Sequence, residues 1–161
     1  MELLHEIDPD LLQKAADIAI NRYPNLRVRL RRGVFWNFLE KNDRPLRIQP
    51  ETAWPCAPLD SRAEDGYFLR ILYYRCTISV EMFHALTDGT GAMEFLKTVV
   101  YHYLTLVGKT IPDQGMILRG DDLPDRHEQE DSFTRYYRPE KRPQPKEPKA
   151  FLLEGTHFEP A

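Results

Sequence analysis

Across His84–Gly91 the hydrophobic period of this chain changes from two to 3.6. Apolar residues alternate from Thr77 to Phe83, which reads as a strand. From Ala92 to Val107 they recur at helical spacing, with Met93, Leu96, Val100, Tyr103 and Val107 on one face. The chain must therefore pass directly from a sheet into a helix packed on that sheet. The junction reads His84-Ala85-Leu86-Thr87-Asp88-Gly89, or H-x-x-x-D-G. A strand-to-helix junction holds a side chain rigidly yet leaves it accessible.

The rest of the first two-thirds supplies partners for that unit. Asp8 and Pro9 suit the N-cap and first position of a helix. Leu11, Leu12, Ala15, Ala16, Ile18, Ala19 and Tyr23 continue it until Pro24. Leu26, Val28 and Leu30 alternate with arginines, Arg32-Gly33 reads as a turn, and Val34 to Leu39 resumes a strand, so a hairpin is expected. Prolines at 45, 50, 55 and 58 make Asn42 to Asp65 a loop with one short edge strand near Leu46 to Ile48. Tyr67 to Tyr74 and Cys76 to Phe83 are two more strands, with no strong turn residue between them. Gly108 is the expected stop of the long helix. These elements predict an α/β fold of the α+β type, a two-layer sandwich in which helices pack on a mainly antiparallel mixed sheet.

With 161 residues, 42% of them hydrophobic, the chain can bury a core without staples. Its domain is expected to span 1–111. Residues 112–149 then form an acidic and later Pro-rich linker, and 150–161 a final strand and tail, with Ala150 to Leu153 as that strand. A net charge of −3 gives no general attraction to nucleic acid or to membrane phosphate. No apolar run is long enough for a membrane span. The N-terminus is acidic, and Cys56 and Cys76 form no framework, so a cytoplasmic location is expected.

The junction residues carry recognisable chemistry. An imidazole titrates near neutral pH, so His84 can take a proton and return it. Asp88 can pair with an arginine, brace the imidazole, or cap the helix. Gly89 is expected to supply a backbone shape closed to other residues, and Gly91 to let the backbone approach a ligand. The helix beginning near Thr90 turns its positive end toward the site. The same residues also read as a simple capped turn, with Asp88 as the cap and His84 merely ending a strand.

Other features read more plainly. His102 is expected to be packed or at the surface, and His5, His127 and His157 lack metal spacing. The carboxylates from Asp121 to Asp131 lack the glycine and spacing of a calcium loop and read as a solvated acidic stretch. Arg27, Arg29, Arg31 and Arg32 form a basic stripe on the solvent face of a strand, where a phosphate-bearing donor can use one. Arg142 to Pro148 fits R-x-x-P-x-x-P but reads better as a linker than as an SH3 ligand.

Phe83-His84-Ala85-Leu86-Thr87-Asp88-Gly89-Thr90-Gly91-Ala92 resembles the active-site signature of the chloramphenicol acetyltransferase-like superfamily, which includes condensation domains, plant acyltransferases and alcohol acetyltransferases. Upstream, Asn21-Arg22-Tyr23-Pro24-Asn25-Leu26-Arg27-Val28-Arg29-Leu30 is similar to the helix-to-strand segment of condensation domains. Gly33-Val34-Phe35-Trp36 with Leu39-Glu40 resembles the bacterial alcohol-acetyltransferase-like branch, as does Glu130-Asp131-Ser132-Phe133. The likeness runs from about Asp8 to Ser132.

The resemblance implies the N-terminal lobe of that fold. It implies transfer of an acyl group, acetyl above all, from acyl-CoA (acetyl-CoA) as co-substrate to a small-molecule alcohol or amine acceptor. No cofactor is permanently bound. His84 is the implied general base. Asp88 is implied to be structural, in an ion pair with an upstream arginine: Arg27 is the candidate, with Arg22 and Arg29 nearby. Ser79 and Glu81 share the strand before the motif and receive no role. Family members have a second lobe across the active-site tunnel, so this chain is expected to be a fragment or a half-length protein. Its expected partner is then the missing C-terminal lobe or a further copy of itself. A non-catalytic association module and a condensation-type domain acting with an acyl carrier protein are the alternatives.

Overall fold

The structure is a computed structural model that describes residues 1–52, 54–59, 65–112, 115–130 and 132–138. The expected final strand at Ala150–Leu153 and most of the Pro-rich segment lie outside the described residues. Two compact units divide at residues 129 and 130.

In the first unit, α1 (Pro9–Arg22) starts as the sequence predicts. Asp8 is the N-cap, and its carboxylate accepts from the amides of Asp10 and Leu11. Leu12, Ala15, Ala16, Ala19 and Ile20 form its buried face. The chain then makes a hairpin of β1 (Val28–Arg32) and β2 (Asn37–Lys41), paired antiparallel with Arg32 opposite Asn37. β2 starts three residues later than Val34, because the Gly33 amide donates to the Trp36 carbonyl and uses Val34 to Trp36 as the tip.

A second sheet holds β3 (Ile48–Pro50), β4 (Leu69–Tyr74) and β5 (Thr77–Met82) in that order. β3 runs parallel to β4, and β4 antiparallel to β5. The fold is thus mixed, with helices and two small sheets, where one sheet was expected. The hairpin closes on itself at Asn42, whose backbone amide donates to the Arg27 carbonyl, and β3 is only three residues long, with Pro45 before it and Pro50 at its end. No glycine makes the β4–β5 turn. Arg75 takes the left-handed backbone at φ 49, with its guanidinium 5.4 Å from the Tyr74 ring centre.

Period-two alternation divides the faces of the three-stranded sheet. Leu69, Ile71 and Tyr73 of β4 pair with Met82, Val80 and Ile78 of β5 and join the core. Arg70 and Glu81 pair on the other face. The long helix, α2 (Gly89–Leu106), packs against α1 and β5. Its buried face is Phe95, Thr98, Val99, Val100 and Tyr103, whereas Met93 and Val107 are exposed. The expected stripe shares Val100 and Tyr103 with the buried face, and Leu96 packs on the core, but Met93 and Val107 fall outside it. The helix is apolar around much of its circumference, and packing selects Phe95 over Met93.

Beyond α2 the chain returns across the helices, with Leu118 packed on the core and a 3₁₀ turn at Arg126–Gln129. The second unit contains α3 (Ser132–Tyr136), and Phe133 stacks on Tyr137 just after it. Among the described residues no helix is long and apolar enough to cross a membrane.

Candidate functional site

β5 ends at Met82, and the chain leaves the sheet through a tight turn. The Phe83 amide donates to the Phe68 carbonyl, and the Leu86 amide to the Phe83 carbonyl. Phe83 and Phe68 hold the start of the turn with ring centres 5.8 Å apart. His84 follows, exposed, with no side-chain hydrogen bond among the described residues. Leu86 is half-buried against the core and pins the turn from below.

Asp88 is the N-cap of α2. Its carboxylate accepts from the Gly91 amide at 2.9 Å, and its carbonyl from the Ala92 amide. An N-cap acid satisfies an otherwise free amide and complements the positive end of the helix. Asp88 and Arg27 are not brought together. The Arg27 guanidinium donates to the Asn42 carbonyl and to Asn21 Oδ1, so it ties the end of α1 to the hairpin base. The structural role of Asp88 is that of a cap, as the simpler reading of the motif has it.

Of the two glycines, only Gly91 is required by a close approach, and it is to Thr87 of the turn. Gly89 has no positive φ, and a Cβ built on it meets nothing within 4 Å. It is the first helical residue and takes an ordinary helical backbone, so the special shape expected there is absent. At Gly91 a Cβ would lie 2.0 Å from Thr87 Oγ1 and 3.2 Å from its Cβ. Gly91 is the position where the turn folds closely onto the helix.

These elements border an open groove of about 600 Å³. His84, Thr87 and Asp88 lie on one side, with Phe68, Met82 and Cys56 among the other lining residues. Glu81 also lines it, whereas Ser79 does not. Sequence reasoning gave Glu81 no role, yet it fixes this wall. Its carboxylate pairs with Arg70 and accepts from the Cys56 amide at 2.8 Å, and Arg70 also donates to the Ala57 carbonyl. Cys56 is held at φ 61, a left-handed backbone that costs a non-glycine residue about 1–3 kcal/mol and persists only when its surroundings fix it. The cross-strand pair thus holds a strained loop against the groove.

The histidine within α2 is packed, as expected. His102 Nε2 accepts from the Gly120 amide at 2.9 Å. Burial pushes its imidazole below the usual range, which keeps that nitrogen free to accept. Cys56 and Cys76 are free thiols. Among the described residues no group of three or more His, Cys, Asp or Glu could hold a metal ion.

A larger polar cluster escaped sequence reasoning. Arg22 is only 3% exposed and pairs through both terminal nitrogens with Glu128, at 2.6 and 2.8 Å. Beside it, the Thr98 hydroxyl donates to the Leu118 carbonyl at 2.7 Å and accepts from Tyr23 Oη at 2.8 Å. The acidic stretch is therefore not wholly solvated: Glu128 is its anchor.

The chain matches no protein-family model, no curated protein and no solved structure.

Proposed function

We propose that this chain is the N-terminal lobe of a chloramphenicol acetyltransferase-like acyltransferase, with His84 as general base. One observation carries the reading: an exposed imidazole, without a partner among the described residues, stands where a strand feeds a helix, on the rim of an open groove. The turn beneath it, fixed by the Asp88 cap and by Leu86, suits a step in which the imidazole takes a proton at a set position.

In that step neutral His84 takes the proton of an acceptor hydroxyl or amine. The acceptor oxygen or nitrogen bonds to the thioester carbonyl carbon of acetyl-CoA or another acyl-CoA. The carbon–sulfur bond then breaks, and the departing thiolate recovers the proton from the imidazolium. Asp88 contributes by capping α2 and so fixing the turn.

The test is thiol release from acetyl-CoA by the full-length protein with panels of alcohols and amines. A well-placed general base contributes roughly 10²- to 10⁴-fold, so His84→Ala should lose turnover by that factor. Near wild-type turnover in His84→Ala would remove the assignment.

A further inference from the structure

The β1–β2 hairpin ends in three consecutive apolar residues that are largely exposed among the described residues. Val34 is 92% exposed, Phe35 86% and Trp36 71%. Isolated exposed hydrophobes are ordinary, but a contiguous cluster marks an interaction site. The tip is built rather than loose. The Gly33 amide donates to the Trp36 carbonyl at 2.9 Å, and a Cβ on Gly33 would lie 2.5 Å from that oxygen. Phe35 and Trp36 rings lie 6.2 Å apart, so the two aromatics form one knob. The hairpin forms a two-stranded sheet of its own.

Its charge is opposite to that of the whole chain. Between Arg27 and Lys41 stand five basic residues and one acidic residue, in a protein of net charge −3. Glu40 is shared by Arg29 and Arg31. Arg32, directly before the tip, has no ion-pair partner among the described residues and is exposed.

We propose that this hairpin docks on an anionic bilayer surface, with Val34, Phe35 and Trp36 entering the interface and Arg32 meeting lipid phosphate. An apolar tip beside cations fits such a surface on both counts. Tryptophan settles at the headgroup level, long arginine stems reach back to the phosphates, and basic groups are drawn to anionic lipid. A second copy is a poorer occupant, because a two-fold interface sets the same patch against itself and would oppose two basic hairpins. The absence of general attraction from the net charge makes docking specific to this end of the molecule.

The experiment uses the full chain with vesicles of phosphatidylcholine, with or without phosphatidylserine. The chain has two tryptophans, so Trp54→Phe leaves Trp36 as the sole reporter. Its emission should shift to the blue and be quenched by brominated acyl chains, only when phosphatidylserine is present, and the effect should fade with added salt. Replacing Phe35 and Trp36 together by serine should weaken co-sedimentation by roughly tenfold or more. Arg32→Glu should weaken it several-fold. All three residues are exposed, so the variants should keep the fold, as circular dichroism would show. No blue shift, equal co-sedimentation of the double serine variant, or equal binding to pure phosphatidylcholine would each overturn the proposal. So would a concentration-dependent dimer in lipid-free solution that the double variant abolishes, since the tip would then be a protein contact.

Discussion

Two polar regions border the same helix and are built in opposite ways. Near the middle of α2, Thr98 is fully buried, and its hydroxyl, Tyr23 Oη and the Leu118 carbonyl satisfy one another. Close by, Arg22 spends both terminal nitrogens on Glu128. At the N-terminal end, the backbone of the turn is held by Asp88, Gly91 and Leu86, but the His84 imidazole has no partner among the described residues. The first arrangement commits its side chains to the fold. The second fixes a backbone and leaves one side chain free to react. Substitutions should therefore separate them: losses in the middle of the helix should appear as stability, and losses at its end as chemistry.

The largest stability effect is expected at Glu128→Ala. It leaves the Arg22 guanidinium buried without its acid, and Arg22 Nε already lacks a partner among the described residues. Breaking a buried pair costs about 3–5 kcal/mol, and Glu128 is 39% exposed, so about 3 kcal/mol is expected in denaturant unfolding. The hydrogen bond from Arg22 holds the Glu128 carboxyl below the ordinary glutamate value of 4.5. A depressed acid stabilises the fold above its unfolded value, and that contribution disappears as pH falls through the folded value. Glu128→Gln should accordingly flatten the acid side of the stability curve. An unchanged acid side would mean that the pair does not hold the return segment in solution.

Thr98→Val comes next. The valine keeps the volume but orphans the Tyr23 hydroxyl and the Leu118 carbonyl. Unsatisfied buried groups cost about 1–3 kcal/mol, so a loss near 2 kcal/mol is expected from the same unfolding series. A loss below about 0.5 kcal/mol would mean that water satisfies both groups and that the middle of the helix is less committed than its contacts indicate.

At the other end of α2, Gly91→Ala gains about 1 kcal/mol in helix propensity but forces Thr87 aside, at an overpacking cost of about 1–3 kcal/mol. A net loss near 1 kcal/mol is expected, and Thr87→Ala in the same chain should relieve it. Double-mutant coupling between the two positions measures the close approach directly. Additive effects would show that the turn yields without strain.

This contrast explains what was legible in the chain. Local signals succeeded: the Asp8–Pro9 start of α1, the hairpin around Gly33, and the change of period at His84 all act within a few residues. The site turn was therefore visible as a motif. Arg22–Glu128 was not, because its members stand 106 residues apart, and an arginine in the last turn of α1 looks like ordinary surface charge. The misplacement of Met93 on the expected stripe of α2 has a similar cause, since Met93 and Phe95 both satisfy helical periodicity and only the partner surface chooses. The roles expected of Gly89 and Gly91 are not borne out by the structure, because only the folded turn shows Thr87 Oγ1 lying against Gly91 and not against Gly89. Glu81 was passed over because its importance lies in holding Cys56 and Arg70, and neither contact has a sequence signature.

The smallest stability effect should belong to the residue of greatest chemical interest. His84 is exposed and unpartnered among the described residues, so His84→Ala should move unfolding free energy by no more than about 0.5 kcal/mol. That near-zero result is what lets a loss of turnover in the same variant be read as chemistry. A fall of more than about 1 kcal/mol would place His84 among the residues that hold the turn, because surface substitutions seldom cost so much. His84→Gln then provides the finer discrimination. Glutamine can donate and accept hydrogen bonds but does not titrate near neutral pH. It should restore any structural contact and still fail to support acyl transfer, so stability without turnover in His84→Gln would isolate proton transfer as the function of the imidazole.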